Sequence, residues 1–280
     1  KDALLRSGIM FPKTIRHLKG EDLKDAIPDK LYIPLTDIRM LTKVDLLMLE
    51  MLANCNWERP LYLAISVGSV SKLKFDNYFV QEGLAFRFTP FDYKKWGDVG
   101  ENRLYAVDVE RLYDNVMNRY KYGGLDTPGL YLDETTLRTC WYHRRLFAQL
   151  AKELIAQGDN ERAKKVLAYA EQVIPGYNVP ETHESGSYDI ATAYATLGEK
   201  TKAVTLAVHL IAEAEDYINW AFSLKGNRIE MVRNDCIYKF WQWNQYNELL
   251  KKIDGEKYKE SNRQFEEKYA LFAPTMSYKN

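Results

Sequence analysis

A predicted helical hairpin constrains the fold more than any other feature of this sequence. It spans Arg144–Pro175, which reads RRLFAQLAKELIAQGDNERAKKVLAYAEQVIP. Its apolar residues recur every three or four positions, which is the spacing of one face of an α-helix. Gly158 allows the first helix to end, Asp159 or Asn160 can cap the second helix, and Pro175 ends it. Two amphipathic helices joined by so short a turn must pack antiparallel, and each keeps an apolar side that another part of the chain has to cover.

The hairpin resembles a tetratricopeptide repeat, in which large apolar residues occupy the first helix, glycine precedes the turn and small residues occupy the second helix. The matching positions are Phe147, Leu150, Ala151, Leu154, Ala163 and Ala170. A second copy follows, because the segment from Gly198 to Ala203 repeats the segment from Gly158 to Ala163 at an offset of 40 residues. Helices over 229–253 and 257–271 would complete a third, degenerate pair, as is common at the end of a stacked array. Such repeats predict a scaffold and no chemistry.

The N-terminal part of the sequence predicts a smaller α/β unit. Residues 1–30 are either an ordered arm on this unit or a tether to a segment upstream. Thr42 can cap a helix that ends near Ala53. The run PLYLAISVG, which ends at Gly68, is apolar and rich in β-branched residues, and it predicts a buried strand. The helix's apolar side would consist of Leu46, Leu47, Leu49, Leu52 and Ala53.

Alternating helix and strand patterns continue up to residue 120. A short helix is predicted over Phe75–Gln81 and a second strand over Leu84–Phe91. Arg103–Val109 is either a third strand or the entry to a helix over Glu110–Tyr120. The loop at 121–133 is rich in glycine and marks the candidate domain boundary.

We therefore predict a mainly α protein with a smaller α/β part. An α/β unit with an N-terminal arm would occupy residues 1–125. A tetratricopeptide-like helical array, an α-solenoid, would occupy residues 126–280.

Composition excludes several classes of function. Lysine plus arginine and aspartate plus glutamate each total 39, and a neutral chain without a basic block argues against nucleic acid as a partner. The three cysteines, Cys55, Cys140 and Cys236, lie far apart and form neither a disulfide framework nor a zinc motif. Leu61–Ser71, the most apolar run, is too short to cross a bilayer, so we expect no membrane insertion by this chain. Because the chain begins at Lys1, we expect it to be a piece of a longer protein.

The sequence offers no catalytic motif, and we predict no catalytic residue, no metal site and no cofactor. The four histidines are scattered, and GxSxG, P-loop and dinucleotide patterns are absent. Asp133 and Glu134, with Arg138 one helical turn on, are more simply explained as support for a helix start than as a polar site. Trp57 is more simply explained as a packing residue than as half of a recognition patch with Arg59.

A binding groove is predicted on the inner face of the repeat array. Arg145 and Lys152 from one repeat, with Tyr188 and Thr192 from the next, would contact a protein or peptide segment that is acidic or polar. Alternatively, the α/β unit or an upstream segment fills this face. The same positions of the repeat frame add Ala148, Ile155, Ser185 and Ala195 to the groove.

Several phrases together resemble one family. They are NWERPLYLAISVG (56–68), YFVQEGLAFRFTPF (78–91), LYDNVMNRYKYGG (112–124) and YLDETTLRTCWYHRRLFAQLA (131–151). They are similar to the C-terminal soluble region of bacterial multi-pass membrane proteins of unknown function that are related to protein O-mannosyltransferases. The resemblance implies that an upstream membrane-embedded part carries glycosyl transfer, and that this region lies on the extracytoplasmic (periplasmic) face of the inner membrane.

Three hypotheses of function follow. The first is a non-catalytic accessory or interaction domain of such a membrane protein, which binds an acceptor or partner protein or braces the membrane part. The second is a stand-alone protein-binding scaffold. The third is an enzyme with an unrecognised site in the α/β unit, around Asp76, Glu82 and Arg87.

Overall fold

The chain forms two units, Lys1–Tyr120 and Lys121–Asn280, and each is described by itself. The structure is a computed structural model, and it describes residues 1–33, 35, 38–67, 73, 75–99, 105–224 and 228–276. The described residues are mainly helical, with one small mixed sheet in the first unit.

The first unit contains short helices around a four-stranded sheet, counted over its described residues. Its helices are α1 (Asp2–Arg6), α2 (Gly20–Ala26), α3 (Lys43–Asn54) and α4 (Val109–Asp114), which continues as a π-helical turn over Asn115–Arg119. Its strands are β1 (Tyr62–Ala64), β2 (Phe79–Gln81), β3 (Ala85–Phe88) and β4 (Ala106–Val107). The strand order is β1-β3-β2-β4, in which β3 is antiparallel to both of its neighbours and β4 is parallel to β2.

Each face of this sheet carries its own apolar core. Successive residues of a strand point to opposite faces, and in β2 Phe79 packs in one cluster and Val80 in the other. The N-terminal arm covers the Val80 face through Leu4, Ile9 and Ile15, so the arm is an ordered part of the unit. Side chains of α3 pack on the Phe79 face.

The predicted start of α3 is confirmed in detail. The Thr42 hydroxyl accepts a hydrogen bond from the Asp45 backbone N–H at 3.2 Å, and the Asp45 carboxylate accepts one from the Thr42 N–H at 2.7 Å. This reciprocal pair is a capping box, which satisfies two backbone donors at a helix start. Trp57 is a packing residue, since its ring stacks on Phe88 with a centroid distance of 5.9 Å.

Other expectations for the first unit are wrong. The predicted buried strand after Pro60 is the three-residue edge strand β1, whose Tyr62 is 48% exposed, while Gly68 lies outside the described residues. Leu46 and Leu47 are 54% and 63% exposed, because only the opposite side of α3 meets the sheet. Only Asp76–Tyr78 of the predicted helix over 75–81 is helical, and Phe79–Gln81 form β2.

The regular elements described in the second unit are all helices. They are α5 (Glu134–Ala156), α6 (Asn160–Val173), α7 (Ser187–Thr196), α8 (Lys200–Ser223), α9 (Arg228–Met231), α10 (Arg233–Ile253) and α11 (Gly255–Met276). Helix α5 packs on α6 and α7, α7 packs on α8, and α10 packs on α8 and α11. The long helix predicted from Ile229 is interrupted at Val232, and α11 extends past Pro274.

The two predicted glycine turns are observed and have the same geometry. Gly158 and Gly198 have φ of 80° and 81°, which is left-handed backbone that favours glycine. The next residue donates its N–H to the carbonyl five residues back in both copies, from Asp159 to Leu154 and from Glu199 to Tyr194, at 2.9 Å each. The repeat of 40 residues seen in the sequence is therefore also a repeat of hydrogen bonding.

Candidate functional site

The four predicted groove residues lie on α5 and α7, two helices that pack together. Arg145, Lys152 and Thr192 are exposed, and Tyr188 is half-buried. The Arg145 guanidinium lies 5.3 Å from the centroid of the Tyr142 ring. A Cβ placed on Gly186 would lie 2.9 Å from Arg145 Cγ, so the residue that precedes α7 sits directly against Arg145.

Two further residues that the repeat frame placed in the groove are buried instead. Ala148 is 2% exposed and Ser185 is fully buried. Ala148 lies on α5, which packs closely against α7. The Ser185 hydroxyl donates to the Thr182 carbonyl at 2.8 Å and accepts from Arg144 at 3.2 Å. The exposed face is consequently narrower than the repeat frame predicts.

An aromatic patch extends this face from α7 onto α10. We use this name for His183, Tyr188, Tyr238 and Trp241. The His183 ring stacks on Tyr188 at 5.8 Å and meets Trp241 edge-on at 5.6 Å, while Tyr238 stacks on Trp241 at 5.6 Å. Tyr238 and Trp241 are 44% and 48% exposed, so their rings are open to a partner.

The patch is supported from below by Tyr246. This residue is fully buried, and its hydroxyl lies 2.9 Å from His183 Nδ1, which fixes the orientation of the imidazole. Burial lowers the pKa of His183, and burial raises the pKa of the Tyr246 hydroxyl. The folded protein therefore favours the neutral imidazole of His183. The exposed rings pack on side chains whose orientation is fixed.

Acidification is expected to destabilise the second unit through His183. Because its pKa is lower in the folded than in the unfolded state, stability is present at neutral pH and falls as the pH drops through about 6.5, the unfolded value. The carboxylates of Glu184 and Asp189 oppose this shift, and Lys239 adds to it. The melting temperature measured between pH 7.5 and 5 should fall more for the wild type than for His183→Asn. Equal slopes for the two proteins would contradict this origin.

Sequence analysis did not find the aromatic patch. Tyr238 and Trp241 are three residues apart, a spacing that places them on one helix face. The sequence contains this spacing. Only the packing of α10 against α7 shows that this face lies beside His183 and Tyr188. Aromatic rings of this kind bind apolar side chains, prolines and cations.

The polar cluster considered around Asp133, Glu134 and Arg138 does not form a site. Asp133 caps α5 by accepting from the Thr135 and Thr136 N–H groups, and Arg138 pairs with Glu134 at 2.5 Å on the exposed helix surface. Arg144 turns inward instead. Its guanidinium donates to the carbonyls of Ile174, Val179 and Pro180 and to Ser185 Oγ, at 2.6–3.2 Å.

This arrangement, which we call the Arg144 clamp, ties the loop between α6 and α7 to α5. Arg144 is 3% exposed, and burial lowers its pKa to about 10. Its charge is neutralised by carbonyl dipoles, with Glu181 as the nearby carboxylate that favours the charged form. The clamp therefore fixes the loop from Ile174 to Ser185, which leads into α7.

In the first unit, Glu82 and Arg87 come together, whereas Asp76 remains exposed in its helical turn. Glu82 Oε1 lies 2.9 Å from Arg111 Nη1 and 3.6 Å from Arg87 Nη1, and Glu82 Oε2 accepts from the Tyr62 hydroxyl at 2.9 Å. Burial and this hydrogen bond raise the pKa of Tyr62. Both carboxylate oxygens are thus engaged by protein groups, which is the arrangement of a structural ion pair.

An apolar surface also lies on the first unit, around α3. A cavity of about 230 Å³ is lined by α3, β1 and the Phe79 face of the sheet. Val44 and Met51 of its lining, and Leu46 and Leu47 on the same helix, are 43–63% exposed. Exposed apolar patches of this kind mark interaction surfaces.

Within the described residues, no group of three histidine, cysteine, aspartate or glutamate side chains is placed to hold a metal ion.

Comparison with known families finds a match within the first unit of the chain. Residues 13–110 match the family model described as TMEM260-associated domain 2. No curated protein and no solved structure matches the chain. Over the described part of the chain, none of the helices has the length and apolarity needed to cross a membrane.

Proposed function

We propose that this chain is a non-catalytic accessory domain of a TMEM260-like membrane protein related to O-mannosyltransferases. The match of residues 13–110 to a TMEM260-associated domain is the observation that carries this proposal. The engagement of Glu82 by Arg87, Arg111 and Tyr62 supports a structural role for this buried carboxylate. The domain lies on the extracytoplasmic side in this proposal, where the acceptor proteins of such a transferase would be.

The second unit acts as a tetratricopeptide-like scaffold in this proposal. Its hairpins α5–α6, α7–α8 and α10–α11 are joined through α5–α7 and α8–α10 packing, which is the neighbour-to-neighbour order of a stacked array. The two glycine turns with identical hydrogen bonds support the same interpretation. Helix α8 departs from the repeat, because its 24 residues exceed the 14 residues of α6.

The groove would hold a protein segment that carries an acidic group beside an apolar or aromatic residue. Arg145 and Lys152 place two exposed cations on α5, and they favour a carboxylate. The aromatic patch offers open rings on the neighbouring helices, and these favour proline, aromatic or aliphatic side chains. Thr192 adds an exposed hydroxyl to α7.

The first unit would brace the membrane-embedded part of the same polypeptide. The exposed apolar side of α3 is the surface suited to this contact, since it would be shielded from water by packing against another part of the protein. Glycosyl transfer itself would take place in that upstream part.

Replacement of Trp241 by alanine tests the groove. Trp241 and Trp220 are 48% and 49% exposed, but only Trp241 belongs to the aromatic patch, so Trp220→Ala is a matched control. Fluorescence anisotropy with peptides selected from a random 15-residue library should show at least tenfold weaker binding to Trp241→Ala, as expected when about 1.4 kcal/mol of contact energy is lost. Arg145→Ala should weaken the acidic peptides selectively.

The same two variants in the full-length parent test the accessory role. Incorporation of sugar into acceptor proteins should fall with Trp241→Ala and remain unchanged with Trp220→Ala. If peptide binding is lost while transfer is unaffected, the chain is a scaffold for other partners, which is the alternative function. If the selected peptides bind both variants equally, the groove assignment is wrong.

A further inference from the structure

A separate cavity of about 330 Å³ lies among α6, α7 and α8. Its volume falls at the lower end of the range of about 300–1,000 Å³ that is typical of ligand sites. On α7 it is lined by Ser187, Ile190 and Tyr194, and at about 100° per residue the last two lie roughly 120–160° around the helix from Tyr188 and Thr192. The cavity and the groove are therefore on opposite sides of this helix.

The charged groups of one cluster in the cavity wall pair with each other. Lys202 Nζ lies 3.0 and 2.7 Å from the two oxygens of the Glu171 carboxylate, and the Tyr194 hydroxyl donates to the same carboxylate at 2.5 Å. The Lys202 ammonium also lies 5.0 Å from the centroid of the Tyr194 ring. Burial, followed by the hydrogen bond to Glu171, raises the pKa of Tyr194, so its hydroxyl stays protonated. Glu171 and Lys202 compensate each other and leave little charge for a ligand.

The second cation in the lining is also committed elsewhere. Arg144 contributes to the cavity wall, but its terminal nitrogens donate to Ile174, Val179, Pro180 and Ser185. An anionic ligand would thus find both the guanidinium and the ammonium of the described lining already engaged. Neither of these two cations is available to pair with an anionic ligand.

Glu181 is the exception among the charged groups of the lining. It is half-buried, and among the described residues no hydrogen bond or ion pair reaches its carboxylate. Its nearby charge favours the ionised guanidinium of Arg144 and the protonated hydroxyl of Tyr194. Gly176 leaves the room that this side chain occupies, since a Cβ there would lie 3.2 Å from Glu181 Cδ. The cavity therefore holds one anion that is not neutralised by direct contact.

The rest of the lining is largely apolar. Its apolar residues are Leu167, Ala170, Ile174, Ile190 and Leu206, and Ser187 and His209 also contribute to the wall. An apolar wall that ends at a carboxylate suits a cation on an alkyl stem, because the stem is buried while the charged end pairs with the carboxylate. Thr201 and Thr205 add hydroxyl groups that can accept further hydrogen bonds from such a cation.

We propose that this cavity binds an alkylammonium or alkylguanidinium group, with Glu181 as its counter-ion. Such a group occurs in lysine and arginine side chains of a protein segment and in free small amines. The side chain enters along Leu167 and Ile190, and its charged end replaces water at the Glu181 carboxylate. This site is independent of the groove, so it stands or falls separately from the function proposed above.

Isothermal titration of the full chain at pH 7 tests the proposal with four probes. They are N-acetyl-lysine methylamide, the uncharged N-acetyl-norleucine methylamide, butylammonium and inorganic phosphate. The capped lysine should bind in the millimolar range or tighter, and the norleucine and phosphate probes at least tenfold more weakly. Glu181→Gln should weaken the capped lysine at least tenfold, whereas the exposed Glu161→Gln on α6 should leave its binding unchanged.

The two cationic probes separate the sources of the group. Tighter binding of the capped lysine than of butylammonium assigns the cavity to a protein side chain, and equal binding assigns it to a free amine. Equal binding of the lysine and norleucine probes would show a purely apolar cavity and overturn the proposal. Binding of phosphate as tight as that of the capped lysine would also overturn it, and so would no binding of either cationic probe at a probe concentration of about 50 mM.

Discussion

Arg144→Leu is expected to lower the free energy of unfolding of the second unit by about 3 kcal/mol or more. The variant removes the donors of the Arg144 clamp and leaves three carbonyls without their partner, at about 1–3 kcal/mol for each buried acceptor. Removing a buried charge recovers part of this loss, because its desolvation is no longer required. The carbonyls remain in place, however, so the loss dominates.

Denaturant unfolding measures the loss of stability, and hydrogen exchange shows which residues lose protection. The loop from Ile174 to Ser185, which the clamp holds, should lose protection first. Arg145→Leu is the matched control, since it changes the adjacent arginine on the exposed side of α5 and should alter stability by no more than about 0.5 kcal/mol. Arg144→Lys should fall in between, because one ammonium cannot reach all four acceptors. Equal stabilities of Arg144→Leu and Arg145→Leu would refute the clamp.

Neighbouring arginines illustrate what the sequence could predict. Periodicity locates helix α5 and its apolar side, and it places Arg145 outward. It cannot reveal that Arg144, one residue earlier, is buried, since the acceptors that make this possible lie 30–41 residues away in a loop without regular structure. Burial of a charge depends on partners that are distant in the sequence, whereas a turn such as Gly158 depends on adjacent residues.

Local signals were accordingly the most reliable. The Thr42 cap, the Gly158 and Gly198 turns and the Trp57 packing residue follow from short patterns, and the structure contains each of them. The apolar run after Pro60 predicts a buried strand, but β1 lies at the edge of the sheet, where one side stays exposed. Hydrophobic composition predicts a strand or helix, but the exposed side of α3 shows that it does not predict burial.

The sequence predicts only part of the candidate site, because its signals are local to each helix. Arg145, Lys152, Tyr188 and Thr192 came from the repeat frame, which assigns positions on each helix. The frame does not assign Tyr238 and Trp241, because they fall in the predicted third pair, where it gives no register. Glu181 carried no motif at all, and its importance depends on the apolar walls that α6, α7 and α8 place around it.

Glu82→Gln is expected to lower the free energy of unfolding of the first unit by about 3–5 kcal/mol, as when one partner of a buried ion pair is removed. The Glu82 and Arg87 side chains are 7% and 5% exposed, so the variant leaves the Arg87 charge buried without its counter-ion. Arg111 loses the same partner, at 2.9 Å. These two arginines also donate to the carbonyls of Ser7 and Gly8, so Glu82 indirectly holds the N-terminal arm against the sheet.

The contrast between single and double variants separates this ion pair from simple packing. Glu58→Gln, an exposed glutamate of the same unit, is the control and should be nearly neutral. Glu82→Gln combined with Arg87→Met should be less destabilised than the sum of the two single variants, because the second change removes the charge that the first one left unpaired. Hydrogen exchange of residues 1–18 should report loosening of the arm in Glu82→Gln and a partial return in the double variant. Strict additivity would mean that Glu82 and Arg87 stabilise the unit independently, and that the arm is held by its apolar contacts with Val80 and Phe91.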